Sequence, residues 1–178
     1  MLRYPRTSTV PRILALTIRA QLAGRTGDGD PRPPLDLATD LAASTGELER
    51  LVPPALARAE LAWLAGRSDE VVEATDDLLR LALTRDATWM VGPLAAWRWR
   101  AGIPTDLPDG VAEPYVLQRA GRHADAARWW SARGCRYAAA LSLLDAGDAD
   151  SARRAMRMLD ELGAGAVTAR HASTAVRR

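Results

Sequence analysis

The side chains able to do covalent or acid–base chemistry in this chain are few and poorly matched. Cys135 is the only cysteine, and His123 and His171 are the only histidines. A thiol beside an imidazole is a nucleophile and its base. Gly134-Cys135, however, falls at a junction between helical segments with no evident oxyanion donors, so a small buried thiol is the expected role. Two histidines are too few for a His-rich metal site. Gly27-Asp28-Gly29-Asp30 resembles half a calcium loop, but the ligand spacing and closing glutamate of such a loop are missing. Glu73, Asp76 and Asp77 lie off the apolar face of their segment and read as a solvated surface, not as a catalytic carboxylate pair. No GxSxG, HExxH or paired CxxC pattern occurs. All 24 basic residues are arginine, so neither a Schiff-base lysine nor a phosphate-loop lysine is available. The expectation is a protein that is not an enzyme and uses no catalytic residue, metal or cofactor.

Recognition chemistry is better represented. In Trp97-Arg98-Trp99-Arg100, alternating rings and guanidinium groups could stack on bases and grip phosphates. On a helix, positions 97 and 99 point about 200° apart, which buries one Trp and leaves the other near the rim. Trp129-Trp130 has a similar division, at about 100°. Packing therefore accounts for these residues better than nucleic-acid binding. Aromatics beside arginines are also what protein interfaces enrich. The candidate partner-binding residues are Trp99, Arg100, Arg128 and Trp130, one Trp with its nearby Arg lining a groove for a protein or peptide. A formal charge of +2 over 22 acids and 24 bases gives a mixed-sign surface with no nucleic-acid footprint of its own. The alternative is direct DNA binding through the C-terminal arginines, Arg153, Arg154, Arg157, Arg170, Arg177 and Arg178.

Positioning such residues requires helices, and their punctuation is visible. Ala-Gly-Arg ends an apolar stretch at 23–25, 65–67 and 120–122, with near copies at 101–103 and 146–148. Glycine tolerates the left-handed conformation that closes a helix, so its recurrence predicts helical hairpins. Helices are expected from Pro11 to Gly24, from Pro34 to about Gly46, from Pro53 or Pro54 to Ala65, and, capped by Ser68, through Ala82. Further helices are expected at about 88–101, 115–120, 121–134, 136–146, 148–162 and, more weakly, 164–176. Trp89 and Leu162 count among their apolar positions. Alanine on these faces permits close axial approach, with Trp or Leu filling the space opposite. The glycine intervals are unequal. The expected fold is all-α, with antiparallel helical hairpins stacked as a short, irregular tetratricopeptide-like solenoid. Residues 1–10 form a flexible N-terminal segment, 11–163 the repeat domain, and 164–178 a weak C-terminal helix or tail.

Two ordered series carry a family resemblance. One is Thr45-Gly46-Glu47-Leu48-Glu49-Arg50-Leu51-Val52-Pro53 followed by Ala57-Arg58-Ala59-Glu60-Leu61-Ala62-Trp63-Leu64-Ala65-Gly66. The other runs through Trp97-Arg98-Trp99-Arg100-Ala101-Gly102, Glu113-Pro114-Tyr115, Gly134-Cys135-Arg136-Tyr137 and Leu159-Asp160-Glu161-Leu162-Gly163-Ala164. Across about residues 9 to 170, the chain resembles the C-terminal part of the tetratricopeptide-like region in large actinobacterial ATP-binding regulators of the LuxR family. The resemblance implies a helical sensor or scaffold in transcription regulation. It does not carry over the family's ATPase or promoter-binding modules, because neither a phosphate-binding loop nor a recognition-helix signature is found in the chain.

The apolar runs are too often broken by Arg, Asp or Gly to span a bilayer, and Met1 to Arg6 lack the apolar core of a secretory signal. A cytoplasmic location and no membrane partner are expected. Leu14, Ile18 and Leu22, spaced by four, are the face of the first helix that an upstream repeat would cover, and they are the expected route to self-association.

Overall fold

The computed structural model describes residues 8–175. Residues 1–7, most of the expected flexible segment, and 176–178, including Arg177 and Arg178, lie outside the described residues. Among the described residues every regular element is a helix: α1 (Thr9–Thr26), α2 (Arg32–Ala43), α3 (Leu48–Leu64), α4 (Ser68–Thr84), α5 (Thr88–Arg100), α6 (Glu113–Arg119), α7 (His123–Ser131), α8 (Arg136–Asp145), α9 (Ala149–Glu161) and α10 (Gly165–Ala175).

One turn chemistry closes most of these helices. After α3, the Gly66 N–H donates to Trp63 O at 2.9 Å and the Arg67 N–H to Ala62 O at 2.9 Å, with Gly66 at φ +74°. This paired pattern satisfies two of the carbonyls that a helix end leaves without donors, and it needs a left-handed residue at its fifth position. The same pair of bonds follows α5, α6, α7 and α9, with glycines 102, 121, 134 and 163 in that place. After α4 the left-handed residue is Asp86, at φ +54°.

Gly24 departs from the pattern. It was expected to stop the first helix, yet α1 continues to Thr26 and is closed by Gly27 at φ +78°. A Cβ built on Gly24 would lie 2.1 Å from Leu61 Cδ2 of α3, so this glycine serves helix packing. The start of α3 also differs from expectation. It begins at Leu48, so Pro53 and Pro54 lie inside it and deprive the Glu49 and Arg50 carbonyls of their usual donors. Ser68, expected as a cap, is the first residue of α4 and makes no capping hydrogen bond.

The packing is alanine-lined. Ala20, Ala57, Ala59, Ala82, Ala95, Ala126, Ala140 and Ala155 are fully buried, which lets helix axes approach closely. Leu48, Val52, Leu79, Val91 and Leu94 join α3, α4 and α5 in one core. A second core brings Ala59, Val71, Trp97, Leu141, Leu159 and Val167 together from α3, α4, α5, α8, α9 and α10. Full burial of a side chain such as Leu159 or Val167 contributes about 2 kcal/mol. Residues 165–175 are therefore anchored: α10 packs against α9 and also against α3 and α1, bringing the last described helix back to the first. Leu162, expected to face inward, is outside, and so is Trp89 of α5. Trp89 is 62% exposed and Leu162 39% exposed, each standing within a turn of a helix end where the neighbouring helix no longer covers it.

Candidate functional site

A polar cluster bridges the first and last thirds of the chain at the centre of the fold. Glu60 of α3 is only 1% exposed. It accepts from Arg25 Nε at 2.6 Å and Arg25 Nη2 at 2.8 Å, from Gln21 Nε2 at 3.3 Å, and from the Tyr137 hydroxyl at 2.6 Å. The Arg25 guanidinium also lies 3.9 Å over the Tyr137 ring. Burial pulls the Arg25 guanidinium down, but the hydrogen bond and charge of Glu60 outweigh it and the net shift is upward. Burial, followed by the Glu60 charge, pushes the Tyr137 phenol well above its ordinary range. A buried carboxylate is tolerated only when its oxygens are this fully matched. The cluster ties α1, α3 and α8 together and leaves Glu60 no oxygen to offer a substrate, so it is structural.

A cleft of about 820 Å³ is lined by residues of α3, α5, α6, α7, α8, α9 and α10. Trp63 and Trp99 are its aromatic walls. Their indole N–H groups are both used, Trp63 Nε1 donating to Arg100 O at 3.2 Å and Trp99 Nε1 to Thr105 O at 2.9 Å. The Arg170 guanidinium lies 4.5 Å over the Trp63 ring, and burial there lowers its pKa. Arg100 stands in the floor, paired to Asp145 through Nη2 at 2.8 Å and Nε at 3.1 Å, with its guanidinium 5.0 Å from the Trp97 ring centre. Gln118 and Arg119 enter from α6, His123 from α7, and Asp148 from the cap of α9. Asp148 accepts from the Ser151 N–H at 2.9 Å, and that backbone bond holds its carboxyl below the usual carboxylate range.

The four candidates from the sequence separate into two places. Trp99 and Arg100 line the cleft together. Trp97 is buried and Trp99 half-buried, the division that their helical angle requires. Trp130 and Arg128 do not reach the cleft. Trp130 packs edge-on against Tyr115 at 5.7 Å and against Trp129 at 4.9 Å, and Arg128 is exposed on α7 in an ion pair with Asp125. The α7 turn directs both toward α6 and solvent instead. Tyr115 fits there because α5 carries Gly92 beneath it; a Cβ on Gly92 would lie 2.3 Å from Tyr115 Cδ2.

Cys135 is also corrected. It is exposed, not buried, at the cap of α8, and its Sγ contacts only the nearby Arg133 carbonyl, at 3.7 Å. It does not line the cleft that holds His123. Among the described residues no group of three or more His, Cys, Asp or Glu is arranged to hold a metal ion, and no helix is long and apolar enough to cross a membrane.

Sequence reasoning missed Glu60, Gln118 and Trp63 as organising residues. The signal for Glu60 was present: a single acid inside Ala57-Arg58-Ala59-Glu60-Leu61-Ala62, on the face that carries the buried alanines. Gln118 has no comparable local mark, because its role depends on Ser142, which lies 24 residues away.

Among the described residues the geometry defines an all-helical protein with a sizeable cleft lined by aromatic rings and arginines. Compared with known proteins, the chain matches no family model, no curated protein and no solved structure.

Proposed function

We propose that this chain is a noncatalytic helical-repeat module, an irregular tetratricopeptide-like solenoid that senses a ligand or holds a protein or peptide partner. The observation that carries the reading is the cleft of about 820 Å³, large enough for a small organic molecule or a few residues of peptide. Its lining residues comprise aromatic rings, arginines, an amide, carboxylates already held by hydrogen bonds and the two histidines His123 and His171, with no cysteine or serine beside them to act as a nucleophile. The relation to LuxR-type regulators of transcription rests on the residue series alone, and cytoplasmic residence goes with that relation. The deciding experiment is to incubate the protein with fractionated metabolites and a peptide library while following tryptophan fluorescence, then to recover the bound species. A ligand returned unchanged, with binding lost in Trp99→Ala, supports the reading. Chemical turnover of the ligand, or no response from any fraction, overturns it.

Self-association through α1 belongs to the same proposal. Leu14, Ile18 and Leu22 are 45%, 54% and 55% exposed in a single row, and rows of this kind mark contact surfaces. Sedimentation equilibrium is expected to show a dimer that Ile18→Glu converts to monomer; a strict monomer at high concentration removes the idea.

The second reading, direct DNA binding, is favoured by one feature: Arg153, Arg154 and Arg157 are all exposed on α9. Arg153 is paired with Asp150, and Asp160 and Glu161 share the helix. Mobility shifts that weaken steeply with salt would support this reading, and absence of binding at low salt would exclude it.

A further inference from the structure

We propose that the cleft binds a small planar organic acid bearing an N–H donor on its ring system. The inference rests on the ligand-sensing reading above and narrows its chemistry through three features.

The first is the hydrogen-bond inventory of the inner wall. Gln118 is 6% exposed and its Nε2 donates to Ser142 Oγ at 2.9 Å. The Ser142 hydroxyl spends its own hydrogen on Ala138 O at 2.9 Å, so it can only accept from Gln118. That fixes the amide orientation: the NH2 side faces Ser142, and Gln118 Oε1 is the atom left as an acceptor. Gln118 Oε1 is buried without a hydrogen-bond partner, and so is His123 Nδ1, from another residue lining the same cleft. Buried polar atoms are seldom left unmatched; His123 Nδ1 accepts or donates according to its tautomer, but the Gln118 oxygen only accepts, so a ligand suited to this wall brings an N–H donor to it.

The second feature is shape. Trp99 has no indole N–H left to give, because that group is held by Thr105 O. It offers a ring surface, which favours a flat ligand over a branched one.

The third is charge. Arg100, Arg119 and Arg170 line the cleft against Asp145 and Asp148. Arg100 and Asp145 neutralise each other, and Asp148 is engaged at the cap of α9. Arg119 is exposed and pairs at 3.0 Å with Asp106, itself almost wholly exposed. A solvent-screened pair of that kind yields readily to a competing carboxylate. Gln118 and Arg119 are consecutive on α6 and point about 100° apart, and both line the cleft, so a ligand that meets both carries its donor and its carboxylate on different edges.

Indole-3-acetate is the probe, with 1-methylindole-3-acetate lacking the donor and indole-3-acetamide lacking the charge. Titration calorimetry on the full chain is expected to rank indole-3-acetate tightest, with about a tenfold loss on N-methylation and a similar loss for the amide. Gln118→Met should erase the penalty for N-methylation. Arg119→Ala, at an exposed position with little bearing on folding, should erase the preference for acid over amide, and it keeps the test decisive if Gln118→Met does not fold. Equal binding of all three probes, or an acid preference that survives Arg119→Ala, overturns the proposal. If no indole binds while other metabolites or peptides still perturb Trp99, this inference falls and the sensor reading stands; if nothing perturbs Trp99, both fall.

Discussion

Removing the charge of Glu60 leaves the Arg25 guanidinium without its counter-charge, while a glutamine oxygen still accepts from the Tyr137 hydroxyl. Breaking one side of a buried pair is costly because the other charge stays behind in a poorly solvated place. Glu60→Gln is therefore expected to lower unfolding free energy by about 3 kcal/mol in urea titration, with no change in the slope of the transition. Tyr115 supplies a pH dependence. Burial pushes its phenol up from 10 to about 12. A group whose folded-state pKa is raised stabilises fully below its unfolded pKa and loses that contribution as pH rises through the folded one. Stability should thus fall between about pH 10 and 12, with the absorbance of Tyr115 at 295 nm titrating late; Tyr115→Phe should remove both the late step and its share of the alkaline loss. At this scale the sequence was informative wherever local geometry decides the outcome. The angle between positions 97 and 99 sets one Trp inside and the other at the cleft. It was uninformative wherever the deciding partner is remote, as with Gln118 and Ser142, or wherever a helix end removes cover, as with Cys135 and Leu162.

At the scale of elements, the helix-closing turns are one motif used repeatedly, which is why the glycines are legible in the sequence. Gly66, Gly102, Gly121 and Gly147 all have positive φ and follow helices as expected. The failure at Gly24 has a clear cause: Ala-Gly-Arg can equally provide a shallow place on a helix surface, and only the presence of Leu61 opposite distinguishes the two uses. Asp86 is the converse, a left-handed residue without glycine's freedom. Such a residue costs about 1–2 kcal/mol in backbone strain, partly relieved in Asp by local hydrogen bonding. Asp86→Gly is expected to gain roughly 0.5–1 kcal/mol, less than the strain because glycine loses more freedom on folding. A higher melting temperature with unchanged helicity by circular dichroism checks it, and destabilisation would mean that the Asp86 side chain contributes more than its backbone costs. The extra turns at the start of α3 were hidden by Pro53 and Pro54, whose usual meaning is a helix start.

For the molecule as a whole, the return of α10 to α3 and α1 matters most. Its apolar content, Val167 and a few alanines, reads weakly in isolation because two of its three partner helices, α1 and α3, lie more than a hundred residues earlier. All-helical architecture was legible from periodicity and punctuation; the closure was not, since no local pattern specifies which distant surface a short alanine-rich helix will meet. The cleft depends on this closure, as Arg170 and His171 form part of its wall opposite α5 and α6.

Closure also changes how the chain should come apart. A linear stack of repeats frays from its ends, each terminal unit releasing its amide hydrogens before the middle does. Here the beginning of α10 lies against the end of α1, with Gly165 beside the Thr26 carbonyl, so neither of these two helices is an outer rung. Native-state hydrogen exchange should find amides of α1 and α10 opening together, at a free energy near that of global unfolding. Ladder-like, sequential release from one extremity would show that the two helices are not clasped. If they do open together, losing a single terminal helix costs this protein its whole architecture, and trimming it as one trims an ordinary repeat array will fail.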